Sequence, residues 1–220
     1  MILTYYGHSC FKIAGATGTV VTDPFSESVG FSLPSLSADM VTVSHDHADH
    51  NAVSQIRGTA RREKPFIVST PGEYEVQMIS VFGTASWHDE TEGAQRGPNT
   101  IFTVYLDGLR VCHLGDLGHQ LTKTQQEAIG DIDVLLCPVG GQFTIDPEGA
   151  IKVIRALEPS IVIPMHYRTP AHESLTFGGM ATVENFLTVY GTEVEPVPKL
   201  SLSAGKLPEE TEVVVLQAPV

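Results

Sequence analysis

Most apolar runs in this chain are too short to be helices, and several of them stop at a histidine or an aspartate. β-like stretches occupy residues 2–6, 11–13, 20–22, 40–43 and 66–69, divided by Gly, Ser, Pro and Asp. More follow at 79–82, 100–106, 109–114, 134–137, 161–165 and 213–216. Runs of this length suit strands, because a helix needs about 10–12 residues to show a buried face. Gly15-Ala16-Thr17-Gly18 and Asp107-Gly108 supply hairpin turns between them.

Helix signals concentrate later in the chain. Asp146 caps a segment that opens on Pro147, carries Ala150, Ile151, Ile154 and Leu157 on one face, and stops before Pro159. Thr122 with Gln125 forms a capping box, and Gly130 ends that helix. Thr182 caps a third, with Val183, Leu187 and Tyr190 on one face and Gly191 after it. A short helix is expected from Val53 through Ile56 to Gly58. The Pro-rich stretch 193–207 reads as a surface loop with one edge strand, and 71–75 as a turn entering a strand. Strands interleaved with one-faced helices predict a layered α/β sandwich, and nothing divides residues 1–220 into two domains.

The densest feature is His45-Asp46-His47-Ala48-Asp49-His50, directly after the run 40–43. Buried without partners, such side chains would cost several kcal/mol each, on the order expected for uncompensated polar groups. A divalent metal among them removes the problem. Further candidates sit at or just past strand ends: His8, Asp23, His88, Asp116 and His166. In layered α/β proteins the carboxyl ends of strands are where ligands bind. Five imidazoles and two carboxylates suffice for a two-metal site, although spacing does not partition them between the metals.

The remaining polar residues divide less sharply. His8 and Asp23 are expected to orient ligand imidazoles through the second ring nitrogen, with a turn before Pro24 as the other reading of Asp23. His113, inside a strand, is expected to be buried and hydrogen-bonded. His119 either faces the site or begins a loop, and His172 is expected to be exposed and idle. Tyr167 and Arg168, next to His166, could contact a substrate oxyanion or phosphate, as could His119, Arg96 and Asn99.

The motif His-x-His-x-Asp-His at residues 45–50 resembles the signature of the metallo-β-lactamase superfamily. Later elements match in order: Trp87-His88-Asp89, Gly115-Asp116 and Pro164-Met165-His166-Tyr167, with Gly7-His8-Ser9 and Thr22-Asp23-Pro24 similar to the family's first hairpin. Within the superfamily, residues 71–75, 113–119 and 138–141 resemble a group of small zinc-dependent hydrolases related to ascorbate-6-phosphate lactonase-like proteins. The resemblance implies a four-layer αββα sandwich of two mixed sheets with helices on the outer faces. It also implies the partition: His45, His47 and His88 on one metal, Asp49, His50 and His166 on the other, and Asp116 between. A hydroxide held by both metals would be the nucleophile, with Asp49 also accepting its hydrogen bond.

The expected activity is hydrolysis of a small ester, lactone or phosphoester. The expected cofactor is two divalent ions, zinc first and manganese, iron or nickel as options. An iron-dependent oxidoreductase and a non-catalytic metal- or ligand-binding protein are the rival readings. Net charge of −13 argues against nonspecific nucleic-acid or anionic-membrane binding, and no large nucleic-acid-clamping insertion is present. Three widely spaced cysteines with apolar neighbours read as buried thiols in a reducing compartment. With no signal peptide or membrane span in view, the cytoplasm is the expected location, and a homo-oligomer stays open.

Overall fold

The computed structural model describes residues 1–218. In chain order the strands are β1 (Ile2–Gly7), β2 (Cys10–Ala14), β3 (Thr19–Thr22), β4 (Leu36–Ser37), β5 (Met40–Thr42), β6 (Ile56–Arg57), β7 (Phe66–Val68), β8 (Gly72–Val76), β9 (Ile79–Trp87), β10 (Pro98–Leu106) and β11 (Leu109–His113). Helix α1 (Lys123–Ile129), β12 (Val134–Pro138), α2 (Pro147–Leu157) and β13 (Ile161–Met165) follow. The chain then forms α3 (Ser174–Phe177), α4 (Val183–Tyr190), β14 (Leu200–Ser201) and β15 (Glu212–Val213).

Two mixed sheets carry the fold. One is six-stranded in the order β14-β1-β2-β3-β5-β7, the other seven-stranded in the order β15-β13-β12-β11-β10-β9-β8. Successive strand residues face opposite ways, so Val20 and Met40 enter the core shared with the second sheet while Val21 and Val41 enter a separate cluster. That second cluster gathers Phe25, Val29, Leu36 and Ile56 against the outer face of the first sheet. Its cover consists of short 3₁₀ turns and the β4–β6 pair, whereas α2 packs on β12 and α1 on β9 of the second sheet. Two mixed α/β sheets in layers agree with the sequence expectation.

The cap signals act where the sequence places them. Thr122 and Gln125 form a reciprocal capping box at α1, Asp146 caps α2 through the Gly149 N–H, and Thr182 pairs with Asn185 at α4. The expected helix from Val53 to Gly58 does not form: Val53–Gln55 is a single 3₁₀ turn and Ile56–Arg57 is a strand. Pairing of Ile56 with Leu36, and burial of Ile56 in the second cluster, outweigh the weak propensity of so short a helix. The strand expected at 213–216 is shorter, with Val213 paired to Val162 and Leu216 bridging to Val197.

Parallel pairing sets the position of the site. β3, β5 and β7 run parallel, so the segments after Thr22 and Thr42 leave one edge together. β11, β12 and β13 are likewise parallel in the other sheet. The two edges are tied by main-chain bonds: Thr100 N–H donates to the Ser44 carbonyl at 2.8 Å, and His166 N–H to the His8 carbonyl at 2.7 Å. Residues at both sets of strand ends therefore face one another.

Candidate metal centre

The six-residue motif leaves β5 as a loop, with His45 and His50 buried and His47 exposed. His88 follows β9, Asp116 lies just past β11, and His166 follows β13. Asp116 is the hub. Its Oδ2 stands 3.2 Å from His166 Nε2, 3.3 Å from His50 Nε2, 3.4 Å from His88 Nε2 and 3.9 Å from His45 Nε2. Gly115 (φ 58°) makes the turn before it, in a place where a Cβ would collide with Asn99 and Ser44. Asn99 Oδ1 accepts the Asp116 N–H at 2.9 Å, while its amide group donates to the Leu114 carbonyl and Ser86 Oγ.

One buried carboxylate orients two imidazoles. Asp23 Oδ1 accepts the Ser44 N–H at 2.8 Å, and Oδ2 accepts the Ser44 hydroxyl at 2.5 Å and His50 Nδ1–H at 2.9 Å. With its proton given to Asp23, the Ser44 hydroxyl can only accept at its 3.0 Å contact with His45 Nδ1. Both rings are thereby turned with Nε2 toward Asp116. Ser44, which links Asp23 to His45, carries no signal in the sequence reading.

This geometry fits cations. Ligand atoms about 2.0–2.1 Å from one tetrahedral zinc stand roughly 3.3–3.4 Å apart. The separations from Asp116 Oδ2 to His166, His50 and His88 match that spacing. Without a cation, His45 Nε2, His50 Nε2, His166 Nε2 and Asp116 Oδ1 are buried atoms with no hydrogen-bond partner. Potential ligand atoms of His45, His47 and His88 lie within 4.8 Å of one another, as do those of His8, His50 and His166.

The electrostatics agree. Burial alone would raise the Asp116 carboxyl, but His166 and His50 outweigh it and hold the group well below the usual carboxylate range. Burial would likewise lower His50, yet Asp116 and Asp23 push it well above an ordinary histidine. Burial, with His50 adding to it, drives His45 down to about 3. The neutral His45 imidazole and the anionic Asp116 carboxylate are the protonation states a metal requires, and a cation at His50 Nε2 would displace the proton that Asp116 and Asp23 favour there.

Asp49 lies on the solvent side, 24% exposed, with Oδ2 3.2 Å from His8 Nε2 and 3.8 Å from His50 Nε2. Desolvation opposes its ionisation, but the His8 contact wins and keeps it ionised. His8 thus contacts the carboxylate, where the sequence expectation had it steadying an imidazole. His8, Asp23 and His166 all take left-handed backbone angles (φ 54°, 36° and 50°), uncommon for non-glycine residues and concentrated here at the site.

The proposed substrate contacts are not gathered with these ligands. Tyr167 is buried, its ring 6.0 Å from that of Tyr5. Arg168 is exposed and donates to the Gly178 carbonyl at 2.9 Å. His119 accepts the Trp87 N–H through Nε2 and donates from Nδ1 to the Gln120 carbonyl, which uses both ring nitrogens. Arg96 instead lies over the Phe143 ring, 5.6 Å from its centroid, and Phe143 meets His166 at 6.5 Å. Arg96 and Phe143 border a cleft of about 360 Å³ together with Asp89, Gln95 and Thr144.

Two other histidines are resolved. His113 donates from Nε2 to the Ser9 carbonyl at 2.8 Å and accepts the Gly115 N–H, as its place in a strand implied. His172 corrects the expectation of an exposed, idle residue: it is 7% exposed, packed against His8, Phe31 and Phe177. His8 and Phe31 are remote in sequence, so the polar residues flanking His172 hide its burial.

A family model described as the beta-lactamase superfamily domain matches residues 2–166. A UPF0173 metal-dependent hydrolase of Methanoculleus marisnigri is 34% identical over 194 residues, covering 77% of this chain and 82% of its own. One of Thermococcus onnurineus is 29% identical over 75% of this chain and 84% of its own. A crystal structure from Thermotoga maritima, assigned to the Zn-dependent hydrolases of the metallo-β-lactamase superfamily, superposes with a TM-score of 0.79 at 36% identity, covering 99% of both chains. The Igni18 metallo hydrolase of Ignicoccus hospitalis shares the fold, with a TM-score of 0.58 at 20% identity over 92% of this chain and 99% of its own.

Proposed function

We propose, for a chain that belongs to the β-lactamase superfamily and within it to the UPF0173 metal-dependent hydrolases, a dinuclear site that hydrolyses a small ester, lactone or phosphoester. The observation that carries this reading is the ring of imidazole nitrogens around Asp116 Oδ2. His45, His47 and His88 would hold one cation, Asp49, His50 and His166 the other, and Asp116 would bridge. Two divalent ions there supply an acidified water as nucleophile and a Lewis acid for the substrate oxygen. Zinc is favoured by the imidazole-rich donor set and by the Zn-dependent assignment of the Thermotoga maritima relative.

The chain's own groups divide the remaining work. Asp23 fixes His50 directly and His45 through Ser44, so these rings need no reorientation. His47 and Asp49 form the exposed rim, which makes it the side of substrate approach. Asp49, anionic and held at one oxygen by His8, can accept a proton from an attacking water. Phe143 and Phe177 form an apolar wall on the side next to His166 and His8. The adjoining cleft of about 360 Å³ is at the small end of ligand sites, which favours a small substrate.

The test is an activity screen of metal-stripped protein after separate restoration of zinc, manganese, iron and nickel. Esters, lactones and phosphodiesters form the panel, with Asp49→Asn as control. Turnover that needs metal and collapses in the variant, at unchanged metal content, supports the proposal. A fully loaded protein with no hydrolysis across the panel counts against it.

A further inference from the structure

Beyond the residues around Asp116, one histidine has an unexplained atom. His172 accepts the Thr169 N–H through Nδ1 at 3.1 Å, with the Thr169 hydroxyl at 2.9 Å from the same nitrogen. A main-chain N–H can only donate, so Nδ1 is the acceptor and the neutral ring carries its proton on Nε2. That Nε2–H is buried and has no partner, in a side chain 7% exposed. Leaving such a donor unsatisfied costs about 1–3 kcal/mol.

The complementary atom is close by. His8 Nε2 meets the Asp49 carboxylate at 3.2 Å, which makes Nε2 the protonated nitrogen and Nδ1 a lone-pair acceptor. His8 Nδ1 is also buried without a partner. The two rings lie 5.6 Å apart between centroids, and Phe177 covers both, at 5.3 Å from His8 and 5.5 Å from His172. An orphaned donor and an orphaned acceptor thus belong to neighbouring rings that pack on the same phenylalanine.

We infer that His172 is a positioning residue that acts on Asp49 through His8. The outer links are Thr169 N–H to His172 Nδ1 and His8 Nε2–H to Asp49 Oδ2, and the inferred middle link runs from His172 Nε2–H to His8 Nδ1 through one bridging water. One water between the rings would satisfy both orphaned atoms. The chain of bonds locks the His8 tautomer and so the orientation of Asp49, without His172 touching substrate or metal. This inference rests on the reading of Asp49 as a site carboxylate, but not on the substrate.

Histidine ¹⁵N NMR of the metal-free protein tests the relay directly, with His172→Phe and His172→Gln as variants. The expected spectrum shows His172 and His8 both protonated at Nε2, with His8 Nδ1 shifting in His172→Phe and returning toward its original position in His172→Gln. In the zinc-loaded protein, kcat on the substrate found in the screen should fall about tenfold in His172→Phe, on the scale of outer-sphere partners, with KM and zinc content unchanged. His172→Gln should recover most of that loss. His172 protonated at Nδ1, a His8 signal indifferent to His172→Phe, or wild-type kcat in that variant would overturn the inference. The NMR arm needs no substrate, so a protein without hydrolase activity would refute the functional proposal while leaving the relay to stand or fall on its own spectrum.

Discussion

Asp23 and His50 meet at 2.9 Å between Oδ2 and Nδ1, both fully buried, and this contact aims His50 Nε2 at Asp116. Asp23→Asn would keep the shape but lose the charge that fixes the imidazole proton on Nδ1. Metal affinity should drop about 10–100-fold, as for other outer-sphere carboxylates, while the fold persists. Chelator competition with zinc measures it. An affinity equal to wild type would remove Asp23 from the site's machinery.

Added metal should stabilise the protein, because the site exists only in the folded chain. Divalent cation at a hundredfold excess over Kd raises unfolding free energy by about 2.7 kcal/mol per independent site. Thermal denaturation with increasing zinc should therefore show a rising Tm, and Asp116→Ala should abolish most of the rise. A Tm insensitive to zinc in the wild-type chain would contradict the site.

Acid should unfold the metal-free protein early. Burial, aided by the His166 imidazole, lowers His8 to about 3 and His172 to about 4, and burial also lowers His113. These rings stay neutral when folded, whereas in the unfolded chain they titrate near 6.5. The unfolded state then binds more protons, so their contribution is fully present above about pH 6.5 and is lost progressively as pH falls toward the folded values. Denaturant midpoints from pH 7 to pH 4.5 should decline steadily, and a flat profile would show that these rings are not neutral in the fold.

Gly115→Ala tests the turn that delivers Asp116. Its φ of 58° and the collision of a Cβ with Asn99 and Ser44 make the substitution strained as well as crowded. A loss above about 1 kcal/mol is expected, since alanine is disfavoured at positive φ, together with weaker zinc binding. Chemical denaturation and zinc titration of the same variant check both effects.

How much of this was legible in the sequence follows from where each signal resides. The strand-end positions of His88, Asp116 and His166 could be read because short apolar runs and turn residues are local features. The caps of α1, α2 and α4 were equally local. Helix formation at Val53–Gly58 was overridden by pairing of Ile56 with Leu36, a contact made by tertiary structure. His172 was misjudged for the same reason: its burial comes from Phe31 and Phe177 and from His8, which is far away in sequence. The orienting role of Ser44 needed the position of Asp23, which no spacing rule supplies.

The central claim is that one carboxylate oxygen organises two neighbouring cations. An anomalous-difference map at the zinc edge, from crystals of zinc-saturated protein, tests it most directly. The account predicts two peaks per chain, one beside His45, His47 and His88 and the other beside Asp49, His50 and His166, with Asp116 between them. A single peak, or none, at saturating zinc would contradict it.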